Sequence, residues 1–411
     1  MSSRILLGDV LVGHLRPVGA RLALSFDPSY CARPDRPVLS RHYEEQGLEP
    51  HVDFVGASDL RPLPSFFRNA LPEGALRAVL EARFRSSTMP DYEMLIRLGD
   101  DLPGNVRVVS DDLLTFEDDE PGVSTMATAG PDPLRFSLAG IQLKASVLAD
   151  ADRVTLPLVG GGGNWIAKFP STLYRELPEN EHAVLRWAAA SGLTVPEHRL
   201  VSVSAIENLP TDFPNEGNSL LIKRFDRLAD GGRVHQEDFA QVFGVEPEDR
   251  YLADLPDYAH YAGIGAIVRT LCGHDDFVEY ARRVAFMILC GNGDAHVKNW
   301  ALLYPDGIRP RLSPLYDFLA TIAYPRLGSS LALGFVDPED PAHLPGVPMA
   351  SIGYPEFREM ATRARADPDE CESEVQHFVE QARDLWPTAR SEMPAFARSA
   401  LGKHLDNVSL K

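Results

Sequence analysis

The sequence predicts an α+β fold of two lobes, one strand-rich and one mainly helical, preceded by a small N-terminal α/β subdomain. Three observations predict it. Short runs of β-formers broken by Gly or Pro open the chain and return from about residue 136. Beyond Phe225 the pattern is mostly helical. Between the two strand-rich parts, residues 111–133 are acidic, then rich in Gly, Pro, Ser and Thr, and carry no periodicity. The division is therefore residues 1–110 for the N-terminal subdomain, 111–133 for a linker, 134–226 for the strand-rich lobe and 227–411 for the helical lobe. A chain of 411 residues can bury cores of that number and size.

Taken in order, Arg4 to Leu7, Val10 to Leu15 and Arg21 to Phe26 read as strands. From Phe66 to Arg85 the pattern is helical, entered through Arg61-Pro62-Leu63-Pro64, with Leu71, Ala75, Leu76, Val79 and Leu80 at helical spacing. A second helix runs from Asp91 to Leu98, stopped by Gly99. After the linker, Phe136 to Val147, Arg153 to Val159 and Asn164 to Phe169 form three antiparallel strands with glycines between them. Asn180 to Ala190 is a helix, with Asn180 as N-cap and Gly192 as its stop. Leu200 to Ser204 and Ser219 to Phe225 add two strands. The helical remainder is interrupted by a hairpin around Tyr304-Pro305-Asp306-Gly307.

The net charge of -19 argues against a broad nucleic-acid-binding face, which needs clustered Lys and Arg. Cys31, Cys272, Cys290 and Cys371 lie far apart without a Cys-x-x-Cys pair, which fits reduced thiols better than a disulfide framework or a zinc site. The first residues hold too short an apolar run for a signal peptide, and no stretch approaches the roughly 18 apolar residues of a membrane span. A cytoplasmic protein is expected.

The chemistry is concentrated in Gly291-Asn292-Gly293-Asp294-Ala295-His296-Val297-Lys298-Asn299, followed by Leu315-Tyr316-Asp317-Phe318. The apolar helix end from Val284 to Cys290 is halted by Gly291, and Gly293 allows a tight turn into Asp294. An antiparallel hairpin brings the start of its first strand close to the end of its second, so Asn299 and Asp317 are expected as neighbours. A carboxylate, an amide and a second carboxylate then converge. Phosphoryl transfer needs that set: Asp294 to orient or deprotonate an acceptor hydroxyl, Asn299 and Asp317 as oxygen ligands for Mg²⁺ on the ATP phosphates. The plainer alternative is three polar residues capping helices and turns. Their gathering at the end of an apolar helix favours the site.

Lys168, in Trp165-Ile166-Ala167-Lys168-Phe169, alternates onto the face of Ile166. An ammonium among apolar strand residues needs an anion, which a phosphate clamp supplies, with Glu181 on the following helix as a carboxylate partner. Read on its own, Lys168 is more simply a solvent-facing residue on an edge strand. The run Gly160-Gly161-Gly162-Gly163 lacks the Gly-x-x-x-x-Gly-Lys-Ser/Thr pattern and reads as a flexible hairpin loop. A better phosphate cover is Ser137-Leu138-Ala139-Gly140-Ile141-Gln142-Leu143-Lys144, whose backbone N–H groups could face an anion. An ordinary bulged strand fits those residues equally well. A strand-rich lobe followed by a helical lobe is the coarse layout of a two-lobed protein kinase.

The chain resembles the HipA family of serine/threonine kinases, the toxin members of bacterial toxin–antitoxin pairs. Besides the motifs above, the matching stretches are Phe66-Phe67-Arg68-Asn69-Ala70-Leu71-Pro72-Glu73-Gly74, Asp101-Leu102-Pro103-Gly104, Ile166-Ala167-Lys168-Phe169-Pro170, Arg224-Phe225-Asp226-Arg227 and His235-Gln236-Glu237-Asp238-Phe239. The resemblance implies a HipA-like, protein-kinase-like fold with ATP and Mg²⁺ as cofactors. It implies Asp294 as the catalytic aspartate, Lys168 on the phosphates, and Asn299 and Asp317 as magnesium ligands. Ala139, Gly140, Ile141, Gln142, Leu143 and Lys144 are similar to the loop over the phosphates, and Lys223, Arg224 and Phe225 to the hinge that holds adenine. His296, Val297, Lys298 and Asn299, with Tyr316 and Asp317, extend the nucleotide contacts. Ser137 matches the serine that family members autophosphorylate to eject that loop and switch off; roughly two added negative charges there repel nucleotide. Lys223 and Leu143 depart from the pattern, standing where an acidic and a charged residue are expected. The implied target is an aminoacyl-tRNA synthetase. The implied partner is a helix-turn-helix, HipB-like antitoxin through which DNA is reached indirectly, and a homodimer is compatible with this.

Three other readings compete. Gly293-Asp294-x-His296 is half of a two-metal hydrolase site, but no second His/Asp cluster accompanies it. A pseudokinase scaffold would keep fold and antitoxin without turnover, against which the intact set Lys168, Asp294, Asn299 and Asp317 argues. A small-molecule kinase differs only in its acceptor loops.

Overall fold

The computed structural model describes residues 2–49, 53–54, 63–83, 89–111, 142–150, 153–156, 162–251, 259–336 and 346–411. Residues 112–133 of the expected linker and residues 137–141 lie outside them, as do Gly160 and Gly161.

The first sheet comprises β1 (Ser3–Leu7), β2 (Val10–Val18), β3 (Arg21–Phe26), β4 (Asp53–Phe54) and β5 (Val106–Ser110), antiparallel in the order β4-β3-β2-β1-β5. Period-two alternation turns Ile5, Leu7, Val106 and Val108 into one core with Phe66, Phe67, Leu76, Leu80, Met94 and Leu95. The helix expected from Phe66 to Arg85 is two helices, Ser65–Asn69 and Gly74–Arg83. Pro72 has no amide to continue the ladder, and Gly74 turns at φ +54°. The apolar spacing runs on across this break, so periodicity alone joins the two. Asp91–Leu98 ends before Gly99 as expected.

The second sheet holds β6 (Lys144–Ala149), β7 (Val154–Thr155), β8 (Trp165–Lys168), β9 (His198–Ser202), β10 (Ile206–Glu207) and β11 (Asn218–Lys223), ordered β10-β7-β6-β8-β11-β9. Ala145, Val147, Trp165, Ala167 and Leu221 join the core of the first sheet. Leu220 and Ile222, on the other face, join the core of the helical lobe through the Leu177–Ala190 helix. Asn180 does not cap that helix. It is buried inside the first turn, where its amide donates to Ala320 O and Tyr324 OH (3.2 Å each) and accepts from Ala320 N (3.1 Å). Gly192 ends the helix at φ +89°, as its position predicts.

Helices Tyr261–Leu271, His274–Leu289, Tyr354–Arg363, Pro368–Glu392 and Ala395–Asn407 make up most of the helical lobe. A third sheet, β12 (His235–Asp238), β13 (Ala301–Tyr304) and β14 (Arg311–Leu312), contains the expected hairpin, with Leu302 opposite Leu312 and Gly307 at φ +80°. A buried charge network clamps the first sheet's domain to the second. Arg224 makes a bidentate pair with Asp226 (2.9 and 2.8 Å), and Arg227 bridges Asp226 and Asp101 (2.7 Å each). Burial would raise the Asp226 pKa, but Arg224 and Arg227 pull it down to about 2. Among the described residues no helix is long and apolar enough to cross a membrane.

Candidate active site

A cleft of about 1070 Å³ opens between the second sheet and the helical lobe. Its roof is set by strand pairing: Lys144 lies opposite Lys168, and Ile166 opposite Ile222. β8 is a central strand, not an edge, and Lys168 is 5% exposed. Its Nζ donates to both Glu181 and Asp317. Burial would discharge this ammonium, but Asp317 and Glu181 hold its pKa above the usual lysine value. In turn burial opposes ionisation of Asp317, and Lys168 and Lys144 overcome it, holding that carboxyl below its usual range. Lys144 is buried too, and desolvation lowers its pKa.

The floor is the turn after His274–Leu289. Gly291 has φ +64°, and an added Cβ would meet the Ile322 side chain at 2.5 Å. Gly293 is required for a different reason: a Cβ there would lie 2.6 Å from the Ser330 carbonyl. Asn292 is fully buried, accepts from Asp294 N–H (3.2 Å) and donates to Asp317 O (3.4 Å). Asn299 Nδ2 donates to Asp294 O (2.9 Å), which leaves its Oδ1 as the atom available to a cation. Asp294, Asn299 and Asp317 thus line one cleft, and Asp317 itself adopts a left-handed φ of +56°. These oxygen donors, with Asp317 held ionised, are of the type a hard cation such as Mg²⁺ takes.

Gln142, Leu143 and Lys144 line the same cleft, the amide of Gln142 donating to Phe169 O (3.0 Å); Ala139, Gly140, Ile141 and Ser137 lie outside the described residues. Lys223, Arg224 and Phe225 line the cleft as well. The Arg224 amide donates to Asn164 O (2.9 Å) and its side chain is held by Asp226; Lys223 pairs with Glu197 (3.0 Å). Tyr316 packs its ring on Phe225 (5.9 Å) and donates to Lys298 O (2.8 Å). His296 lines the cleft with its pKa driven down to about 3 by burial, then by Arg250 and Lys298, so it is a neutral imidazole accepting from Lys298 N–H (3.3 Å). Val297 differs from its neighbours, being fully buried in the helical lobe's core.

Tyr251 escaped the sequence reading. Its hydroxyl donates to Asp294 Oδ1 (2.5 Å) and its ring stands edge-on to His296 (4.8 Å). No local pattern marks it. Glu73 and Arg250, described below, escaped as well, although Glu73 sits within a recognised motif.

A strand-rich roof carrying a buried lysine, over a helical floor carrying two carboxylates and an amide, defines a protein of kinase-like α+β fold. Residues 3–109 match the HipA N-terminal domain and residues 136–386 the HipA-like C-terminal domain. The chain is 37% identical over 404 residues to Y4dM of Sinorhizobium fredii, provisionally named a kinase, covering 95% of this chain and 92% of that one. It is 22% identical over 370 residues to the serine/threonine-protein kinase toxin HipA of Shewanella oneidensis, covering 82% and 78%. A solved structure of the Shewanella oneidensis HipA, HipB and operator DNA complex matches in fold, with TM-score 0.71, 18% identity and coverage of 98% and 96%. The chain belongs to the HipA family of kinases.

Proposed function

We propose that this protein is a Mg²⁺-dependent kinase that transfers the ATP γ-phosphate to a Ser or Thr hydroxyl of a protein. The observation that carries the reading is the convergence of Lys168, Glu181 and Asp317 with Asp294 and Asn299 in one cleft. Bound Mg·ATP would supply the phosphoryl group and the charge neutralisation that transfer requires. Lys168, held by Glu181, would bind phosphate oxygens; Asn299 and Asp317 would hold the cation; Lys223, Arg224 and Phe225 would border the adenine. Asp294 would accept the hydrogen bond of the incoming hydroxyl. The Tyr251 hydroxyl, already donating to Asp294 Oδ1, marks where such a hydroxyl would sit.

The substrate proposed is an aminoacyl-tRNA synthetase, and Ser137 is the site of self-silencing. Because the Shewanella protein of the same fold is found with HipB and operator DNA, a helix-turn-helix antitoxin is the proposed partner. Asp294→Asn tests the assignment. It should retain Mg·ATP binding, read as a thermal shift, while phosphate transfer falls to background. Equal transfer by variant and wild type would remove Asp294 from the mechanism, and ATP binding without transfer in either would favour a scaffold.

A further inference from the structure

The N-terminal subdomain packs against the segment that leads to Arg250 and Tyr251. Arg68 reaches Glu246 and Glu248 (2.5 Å to Glu248 Oε1), and Asn69 donates to Val245 O (2.7 Å). Glu73 goes further. Buried Pro72 and the left-handed Gly74 shape the turn that aims its carboxylate out of the subdomain, where Lys298 Nζ and the Arg250 guanidinium both donate to it. Lys298 is 7% exposed, and its Nζ also donates to Asn69 O (3.3 Å).

Both cations belong to segments that hold Asp294. Lys298 stands between His296 and Asn299, whose side chain fixes the Asp294 carbonyl. Arg250 directly precedes Tyr251, which holds the Asp294 carboxylate. One carboxylate from another domain therefore ties two segments that meet at Asp294. Without it, a buried ammonium and a guanidinium would lose the carboxylate to which both donate.

We infer that Glu73 is a positioning residue of the kinase site, setting the 294–299 loop and the Tyr251 segment from the N-terminal subdomain. The inference rests on the kinase reading and extends it: the two lobes alone do not complete the site.

The test uses the full-length chain as wild type, Glu73→Gln and Glu248→Gln, the last removing a half-exposed partner of Arg68 that does not reach the 294–299 loop. Two readouts are taken: the single-turnover rate of phosphate incorporation from Mg·ATP against ATP concentration, and amide hydrogen exchange of residues 294–299. Glu73→Gln should lower the maximal rate about 10- to 100-fold with the half-saturating ATP concentration nearly unchanged, the scale of loss expected from a misplaced reacting group. Exchange in residues 294–299 should quicken while residues 274–289 keep wild-type exchange. Glu248→Gln should leave both readouts at wild type. Wild-type rate and exchange in Glu73→Gln would overturn the inference. A wild type that transfers no phosphate would instead count against the kinase reading, and the exchange comparison would still decide the role of Glu73. If Glu73→Gln does not fold, Glu73→Gln with Lys298→Met, which removes the buried charge together with its partner, carries the exchange measurement. The same quickening is expected there, and its absence would overturn the inference.

Discussion

Lys168 places one ammonium between two carboxylates, Glu181 and Asp317, and its proposed role follows from that competition. Asp317 is engaged by Lys168 while remaining the proposed cation ligand, so the residue proposed to bind the phosphates also holds the Asp317 carboxyl below its usual range. Lys168→Met should therefore lower phosphate incorporation about 100-fold or more, the usual cost of one preorganised charge donor. Quantitative incorporation from Mg·ATP checks this, and a wild-type rate would exclude the lysine from the phosphates. The same residue shows what a local reading lacks. Trp165 to Phe169 looks alike on an edge or in a centre, and only pairing with β6 and β11, distant in sequence, buries the amine. That Asp294, Asn299 and Asp317 line one cleft was legible, because the first two are near in sequence and a short hairpin joins Asn299 to Asp317. Tyr251 was not, since nothing near it in sequence points to Asp294.

Among the elements, the turn from Gly291 to Asp294 is where backbone geometry and chemistry meet. Gly291→Ala would combine a left-handed φ with a Cβ 2.5 Å from Ile322. It should cost about 1–3 kcal/mol, read as a lowered denaturation midpoint, because strain of this kind falls in that range. An unchanged midpoint would show that the Ile322 side chain simply moves aside. The expected stop after Cys290 came from glycine chemistry acting locally, so the sequence displayed it. By contrast, the break at Pro72 lay hidden under continuous apolar spacing. Asn180 carried a capping residue's chemistry but spends it on Ala320 and Tyr324, a choice made by tertiary packing.

At the scale of the molecule, the alternation of strand-rich and helical regions was legible, whereas the joints between them were not. One joint carries a titration. Burial pushes the Glu237 carboxyl up to about 7 against hydrogen bonds from Ser40 Oγ (2.6 Å), Tyr304 OH (2.5 Å) and Arg41 N–H (3.0 Å). A carboxyl raised in the folded state binds its proton more tightly there than in the unfolded chain. Stability therefore falls as pH rises from the unfolded value of about 4.3 to about 7, by up to about 4 kcal/mol, and then levels. Glu237→Gln cannot ionise, so its stability measured by denaturant should lack this component; parallel curves for variant and wild type would contradict it.

The central claim, that the cleft transfers phosphate, is tested most directly by intact mass after incubation with Mg·ATP, comparing wild type with Asp294→Asn and Ser137→Ala, each checked first for phosphate already present on purification. Wild type should gain one phosphate, localised to Ser137 and absent from both variants. A wild type that starts unphosphorylated, binds ATP and gains nothing would contradict it.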